Sequence, residues 1–297
     1  MDKTLKVGEH MKQRYEAKKF SGEFKFRHKC IIMFQKIDGV DVILFVLYVH
    51  EHDRNGQHPN RGAAYISYLD SVHYMQPKEM KTMVYHELLT AYIDYARQRK
   101  FASVHIWSCP PQDHDDDYIF NHKPKKQKIP DEERLRQWYT DFLAEATNRG
   151  IVKRVTNVVD EYMKEGSNAT AIPMFEGDHI ASKIERWDLK VDDKIVVKKL
   201  KKAIDREKEN FIVAVLEKSD YKINDEDEEM RCEFLTDRNS FLQFCRGHRY
   251  RFDALDKAKL ASIMVLWRLH RKQELFRTVT NYVDPGDSGD LWRYLKA

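Results

Sequence analysis

The sequence lacks the short motifs that mark the commonest cofactor-dependent enzymes. It contains no GxGxxG, no GxxxxGK and no GxSxG pattern. These patterns form the phosphate loops of dinucleotide-binding and P-loop proteins and the nucleophile turn of esterases. The chain is therefore a poor match to a nucleotide dehydrogenase, a P-loop ATPase or a serine esterase.

Cysteine and long apolar runs are also scarce. The cysteines have no CxxC spacing, so we expect reduced thiols, no disulfide and no structural zinc. They are Cys30, Cys109, Cys232 and Cys245. The longest apolar stretch, residues 40–49, is interrupted by Asp41, and the first six residues form no apolar signal core. We therefore expect no membrane span and no membrane partner.

What is present suits one large α/β domain covering residues 1–297. Hydrophobic residues make up 42% and charged residues 34%, enough for a sizeable core under a strongly charged surface. The net charge of +4 is small beside 52 basic and 48 acidic residues. It predicts no direct nucleic-acid readout, and no pattern specifies an oligomeric state.

Hydrophobic periodicity predicts the elements of the first half. Residues 30–34 and 40–48 are predicted to form a strand hairpin around an Ile-Asp-Gly-Val turn. After a loop at 50–62, residues 63–72 and 101–107 are predicted strands on either side of a helix from Pro77 to about Arg99. Such a β-α-β passage favours parallel strands.

The second half predicts mainly helices. They cover 131–149, 152–164 and 200–210, and two more follow residue 240, the second including 260–269. A loop is expected at 172–178 and a strand at 211–216. The fold class is therefore α/β, with a central mixed sheet wrapped by helices.

The helix from residue 131 carries the most informative group of side chains. Arg134 and Trp138 are four residues apart and share a face, and Tyr139 lies about 100° further round. A guanidinium beside an indole suits a phosphorylated ligand with an adenine ring, and the phenol offers an acid. The alternative is two core aromatics beside a surface cation.

A second group lies at the start of the preceding helix. Lys81 and Thr82 fall in its first turns, where free backbone N–H groups attract phosphate. Residues 67–71 precede it at the carboxyl end of a strand, where α/β sheets often bind ligands. The alternative is an ordinary strand end.

Several other features are weaker. Residues 85–90 resemble the start of a zincin motif but have Thr90 at the second histidine position. Residues 50–53, His-Glu-His-Asp, could bind a metal, but we expect a solvated loop instead. Cys109 has no histidine partner nearby in sequence. The basic run 122–128 and the acidic run 113–117 are typical of solvated loops.

Seven strings along the chain closely resemble one family. They are IDGVD (37–41), YISYLDSVH (65–73), VYHE (84–87), HIWSCPP (105–111), DDYIF (116–120), QKIP (127–130) and FEGD (175–178). Together they resemble the catalytic domain of the CREB-binding-protein family of histone acetyltransferases. The resemblance is strongest over 1–180, continues through a shortened regulatory-loop region at 181–205, and is fainter over the C-terminal part, 206–297.

The resemblance implies an acetyltransferase-like core and transfer of acetyl from acetyl-CoA to protein lysines, with no metal. Tyr139 would be the general acid, and Trp107 would shape the lysine tunnel. Cofactor contacts would fall on Leu69, Asp70, Ser71, Lys81, Thr82, Cys109, Ile129, Arg134 and Trp138, and substrate contacts on Tyr68, Tyr118 and Glu176. Histone tails or other lysine-rich proteins in the nucleus would be the partners.

The chain departs from the family at a few places. Lys81 stands where the family has arginine, and Thr236 and Asn239 stand where it has acids in the substrate groove. The lysine-rich regulatory loop is reduced to a stretch with Lys190, Lys194, Lys198 and Lys199. Two alternatives follow: a catalytically weak acyl-CoA-binding scaffold, or an acyltransferase for a non-histone target.

Overall fold

The computed structural model describes residues 2–111, 118–187, 189, 192–219 and 231–276. These residues build one seven-stranded mixed sheet with the strand order β1-β2-β3-β4-β5-β7-β6. The strands are β1 (Asp2–Lys6), β2 (Glu23–Ile37), β3 (Val40–Glu51), β4 (Ala63–Ser71), β5 (Ser103–Trp107), β6 (Val152–Asn157) and β7 (Phe211–Leu216). The α/β class with a central mixed sheet is confirmed.

Helices cover both faces of this sheet. They are α1 (Glu9–Arg14), α2 (Lys81–Gln98), α3 (Glu132–Asn148), α4 (Val158–Tyr162), α5 (Ile180–Glu185), α6 (Asp193–Ile204), α7 (Arg238–Gly247) and α8 (Leu255–Phe276). Within the described ranges, none of them has the length and apolar character needed to cross a membrane.

The predicted hairpin is present and longer than expected. Strands β2 and β3 pair in antiparallel register from Arg27–Glu51 to Ile37–Val40. Asp38 and Gly39 form the turn with φ of 49° and 78°, the left-handed conformation that tight hairpin turns need. Every residue of β3 from Val42 to Val49 is buried, which makes β3 the centre of the core.

The β-α-β passage is confirmed as well, and it creates an opening in the sheet. Strands β4 and β5 are parallel, but their register runs only from Ala63–Ser103 to Ile66–Ile106. Residues 67–71 continue β4 beside β3 without a partner in β5. The two strands therefore separate at their carboxyl ends and leave a gap.

Two apolar clusters hold the helices against the sheet. The larger joins β3 to α2, α3 and α8 through residues such as Leu89, Phe142 and Val265. The smaller joins β7 to α1, α5 and α6 through residues such as Met11, Ile184 and Leu200. Burying one such side chain stabilises the fold by about 1.5–3 kcal/mol, so both layers contribute substantially.

The prediction of a helix over 152–164 was wrong for its first half. Residues 152–157 are strand β6, antiparallel to β7, and only Val158–Tyr162 are helical. The β-branched residues Val152, Val155 and Thr156 suit an edge strand. Hydrogen bonding to β7 therefore favours a strand here, although the spacing of the apolar residues also fits a helix.

The charged helix predicted at 200–210 is displaced. Helix α6 begins at Asp193, buries Val196, Val197, Leu200 and Ile204, and passes into a 3₁₀ turn at Asp205–Asn210. Part of the expected regulatory-loop region is thus ordered helix. Strand β1 and helix α1 were not predicted, because their residues are mostly polar and exposed.

Candidate active site

A cleft of about 1190 Å³ opens where β4 and β5 separate. Its walls come from the end of β4, the start of α2, the loop at 118–130, helix α3 and the turn at 176–179. All the residues singled out from the sequence line it: Tyr68, Leu69, Asp70, Ser71, Lys81, Thr82, Trp107, Cys109, Tyr118, Ile129, Arg134, Trp138, Tyr139 and Glu176. Their roles remain predictions, but their convergence on one cleft is a feature of the fold.

Helix α3 presents three of these side chains as its spacing predicted. Asp131 is the N-cap, and its carboxylate accepts a hydrogen bond of 2.8 Å from the Arg134 backbone N–H. Arg134 is exposed, whereas Trp138 is half-buried with its indole 4.7 Å from the His86 ring. The helix therefore carries a cation at the mouth of the cleft and an aromatic surface deeper in.

Tyr139 lies at the buried end of this series. Its side chain is 6% exposed and packs edge-on against Trp138, with ring centroids 5.2 Å apart. Burial raises the pKa of Tyr139 well above its usual value. The phenol therefore keeps its proton at neutral pH and can donate it to a group in the cleft.

The start of α2 adds positive charge to the opposite wall. Lys81 is the first residue of the helix, and its ammonium lies 5.6 Å from the ring centroid of Tyr85. Burial and the neighbouring Lys123 ammonium lower the pKa of Lys81. An anion bound here would relieve that repulsion, as expected of a phosphate site.

Asp70 has a structural task in the same wall. Its carboxylate accepts hydrogen bonds from the backbone N–H groups of Ser71 and Ile119, at 2.8 and 3.0 Å, and from Phe120. It also forms an ion pair with Lys123. Asp70 therefore fastens the loop at 118–123 to the end of β4, and the acid acts on the cleft by placing this loop.

Two tyrosines of the cleft have cations against their rings. The Lys123 ammonium lies 4.6 Å from the Tyr118 ring centroid. The Arg238 guanidinium lies 4.8 Å from the ring centroid of Tyr68, and it donates a hydrogen bond of 3.2 Å to the Tyr118 carbonyl oxygen. Arg238 begins α7 and lies outside the cleft lining.

The end of β5 forms the inner wall. Trp107 stacks on Phe211, with ring centroids 5.9 Å apart, and meets the His179 ring edge-on at 5.2 Å. Cys109 is exposed just beyond the strand. These side chains bring an indole and a thiol close to the gap between the strands.

Glu176 is placed by a tight turn rather than by regular structure. The buried Asp178 carboxylate accepts hydrogen bonds from the backbone N–H groups of Phe175 and Ile180, at 2.8 and 2.9 Å. Burial raises the pKa of Asp178 to about 7. The turn presents Glu176, an exposed acid, at the edge of the cleft.

The sequence analysis missed the basic loop as part of the site. His122, Lys123, Lys125, Gln127 and Lys128 all line the cleft. The interpretation of this run as a solvated loop was incomplete, since local composition cannot show which side of a loop faces a ligand. The signal was present in the run of lysines itself. The acidic run at 113–117, interpreted above as a solvated loop, lies outside the described residues.

The first three residues of the His-Glu-His-Asp segment are buried instead of solvated, whereas Asp53 is exposed. His50 and His52 pack with Phe26 and Phe175, and the carboxylate of Glu51 pairs with Lys29 at 3.2 Å. Across the part of the chain that the structure describes, no three His, Cys, Asp or Glu side chains are grouped as a metal site would need.

The arrangement suits a long, anionic ligand. Cations at Lys81, Lys123 and Arg134 can meet phosphate, and Trp138 can stack on a flat apolar group. The deeper part of the cleft is apolar and aromatic, and the protonated phenol of Tyr139 lies there next to Trp138, with ring centroids 5.2 Å apart. Such a site can bind a nucleotide-bearing donor and assist the departure of a basic leaving group.

Comparison with known proteins identifies the family of the chain. Residues 1–239 match the family model described as the histone acetyltransferase domain KAT3. The chain is 41% identical over 186 residues to Protein cbp-1 of Caenorhabditis elegans, which covers 62% of the chain and 9% of that protein.

Two plant relatives extend the comparison. Identity is 28% over 379 aligned residues to histone acetyltransferase HAC12 of Arabidopsis thaliana, covering 91% of the chain and 22% of the relative. It is 38% over 192 residues to probable histone acetyltransferase HAC-like 2 of Oryza sativa subsp. japonica, covering 60% of the chain and 13% of the relative. The chain thus spans less than a quarter of the length of these three relatives. With its KAT3 match over most of its length, the chain belongs to the histone acetyltransferase family that includes the CREB-binding proteins.

Proposed function

We propose that this chain is a protein-lysine acetyltransferase that uses acetyl-CoA and acts on histone tails in the nucleus. The observation that carries the proposal is the position of Tyr139: a buried, protonated phenol opening onto a cleft whose outer part is cationic and aromatic. Family membership supplies the reaction class, and the cleft supplies the parts that this reaction needs.

The lining residues fit the donor from one end to the other. Arg134, Lys81 and Thr82 would hold its phosphates, and Trp138, beside Tyr139, would pack against the thioester arm. The gap between β4 and β5 would accept the thioester arm, with the sulfur near Trp107, Cys109 and Tyr139. Leu69, Ser71 and Ile129 would contact the arm along its length, and Asp70 would hold the adjoining loop in place.

The chemistry follows from the two groups that exchange protons. A lysine amine has a pKa of about 10.4 and must be neutral to attack the carbonyl carbon of the acetyl group. As the new N–C bond forms and the C–S bond breaks, Tyr139 donates its proton to the departing sulfur. The nitrogen gives its extra proton to solvent, and Tyr139 regains one, so no covalent enzyme intermediate is required.

The substrate end of the cleft would take the lysine side chain. Trp107, Tyr68 and Tyr118 provide apolar walls along its methylene groups, and removal from water favours the neutral amine. Glu176 at the edge would attract a basic tail weakly and in a salt-dependent way. The site therefore suits brief encounters with extended lysine-rich segments.

Incubation with radiolabelled acetyl-CoA and purified core histones would test the proposal. We expect label on histone lysines, located by mass spectrometry, and much less with Tyr139→Phe as the matched control. CoA binding without transfer to any protein would favour the acyl-CoA-binding scaffold. Transfer to other nuclear proteins but not to histones would favour the non-histone acyltransferase.

A further inference from the structure

The aromatic part of the cleft has a second layer of charge behind it. Tyr68 is 38% exposed and is a predicted wall of the lysine tunnel, yet one ring face already meets the Arg238 guanidinium at 4.8 Å. Tyr118 meets the Lys123 ammonium at 4.6 Å. Aromatic rings attract cations through their electron-rich faces, and each of these two rings already has a protein cation over it.

Arg238 is fixed between the two tyrosines. Its hydrogen bond of 3.2 Å to the Tyr118 carbonyl oxygen holds the guanidinium in place while it lies over the ring of Tyr68. The neighbouring carboxylate of Asp237 is engaged elsewhere: it accepts from Lys3 Nζ at 2.7 Å and from the Ser240 backbone N–H at 2.8 Å. Among the described residues, Arg238 forms no ion pair within 4.0 Å, so its charge is only partly balanced.

A charge in this place acts on whatever enters the cleft. Arg238 contacts the ring of Tyr68, which lines the cleft, and repulsion between cations is stronger beside such apolar groups than in open water. An ammonium close to Arg238 and Lys123 would therefore be less favourable than an uncharged amine.

Building on the acetyltransferase function proposed above, we infer that Arg238 is a positioning residue that acts with Lys123 to disfavour an ammonium beside Tyr68 and Tyr118. The substrate lysine is thereby admitted as its neutral, nucleophilic amine. Arg238 touches no reacting atom and acts through the two rings.

Other charged and titratable groups face the same region and set its balance. Asp70 offsets much of the charge of Lys123 through their ion pair. Arg251 and Asp253, also in the lining, offset one another at 2.8 Å. Further ones in the lining, on the start of α2, the loop at 118–130, α3 and the turn at 176–179, are Lys81, His122, Lys125, Lys128, Arg134, Glu176 and His179. Glu176 opposes the effect of Arg238, and Lys81 adds to it.

The pH dependence of kcat would test this inference, because kcat reports the protonation of the bound complex and a purely structural role would not shift its profile. The substrate is a peptide with a single lysine that the wild-type protein acetylates, assayed at saturating peptide and acetyl-CoA between pH 6 and 9.5. We expect Arg238→Gln to shift the rising acidic limb upward by about 0.5–1 pH unit, so that activity falls about three- to tenfold on that limb. The curves should converge at high pH.

Two further variants and a control complete the experiment. Arg238→Met is a second neutral replacement that still covers Tyr68 and should shift the limb similarly, whereas Arg238→Lys keeps the charge and should stay near wild type. Arg246→Gln, on the same helix but outside the cleft lining, should leave the profile unchanged.

Parallel curves for the neutral variants, lowered equally at every pH, would overturn the inference and leave the proposed function standing. A shift with Arg238→Lys equal to that with Arg238→Gln would also overturn it, because charge would then not be the cause. A wild-type protein without transferase activity would remove both the function and the inference.

Discussion

Tyr139 could act as a general acid or only as a packing residue, and its hydroxyl group distinguishes the two roles. Tyr139→Phe keeps the ring that packs against Trp138 and Phe142 and removes only the hydroxyl. We expect kcat to fall by roughly a hundredfold or more, the usual contribution of a general acid, while the Kd for acetyl-CoA stays nearly constant. Steady-state kinetics and calorimetry would measure the two quantities, and unchanged kcat would exclude Tyr139 from the chemistry.

Arg134 offers a matching test of the cationic wall. Arg134→Ala should remove a charge-assisted phosphate contact of about 1.5–3 kcal/mol, which weakens CoA binding by about ten- to a hundredfold. Arg136→Ala is the control on the same helix, because Arg136 bonds to Asn210 at 3.2 Å and lies outside the cleft lining. Equal CoA affinities of the two variants by calorimetry would contradict the assignment of Arg134.

At the scale of one element, helix α3 depends on how it begins. Asp131 satisfies the backbone N–H of Arg134, and the carboxylate also suits the positive end of the helix dipole. We expect Asp131→Ala to lower the free energy of unfolding by about 1 kcal/mol, measured by urea denaturation, and Asp131→Asn to cost only a few tenths of that. If the two variants lost the same stability, capping would not be the cause.

The elements also show what could be predicted from the sequence. Strands β3 and β4 are inner strands of the sheet, and helices α2 and α3 pack against it. All four therefore carry dense apolar patterns. Strand β6 is an edge strand with Val155 exposed, so its pattern lacked the apolar alternation that identifies a strand.

Within the site, residue spacing along one helix predicted which side chains lie together, whereas contacts between distant parts of the chain could not be predicted. Arg134, Trp138 and Tyr139 share neighbouring faces of a regular helix, so their convergence follows from its geometry. The contact of Arg238 with Tyr68 joins residues far apart in the chain, and no local pattern encodes it. The burial of His50 and His52 was missed for the same reason, since it depends on Phe26 and Phe175, which are distant from them in the chain.

At the scale of the whole molecule, four buried histidines in the described part of the chain make stability depend on pH. Burial lowers the pKa of His28 and His52 to about 4, of His105 to about 3 and of His50 to about 2. Unfolding returns each to about 6.5, so the unfolded chain binds more protons below that pH. Their contribution to stability is complete above pH 6.5 and declines as pH falls from 6.5 toward 4, and the raised pKa of Asp178 offsets part of this decline.

Urea denaturation at pH 7.5 and pH 5 would measure this loss. The limiting slope is about 1.4 kcal/mol per pH unit for each histidine that takes up a proton on unfolding. His50→Phe removes one such group from an aromatic cluster and should flatten the dependence, while His248→Gln, at an exposed site, should not. Identical pH dependence of wild type and His50→Phe would exclude the buried array as its source.

The gap where pairing between β4 and β5 ends also affects the entropy cost of ligand binding. Each of the two strands keeps its other neighbour in the sheet, β3 for one and β7 for the other, so the wedge between them is rigid before anything enters. The ligand alone then loses conformational entropy when the complex forms. A rigid compound whose shape already matches the gap would lose less conformational entropy on binding than a flexible one. Inhibitors should therefore gain more affinity from rigidity than from added contacts.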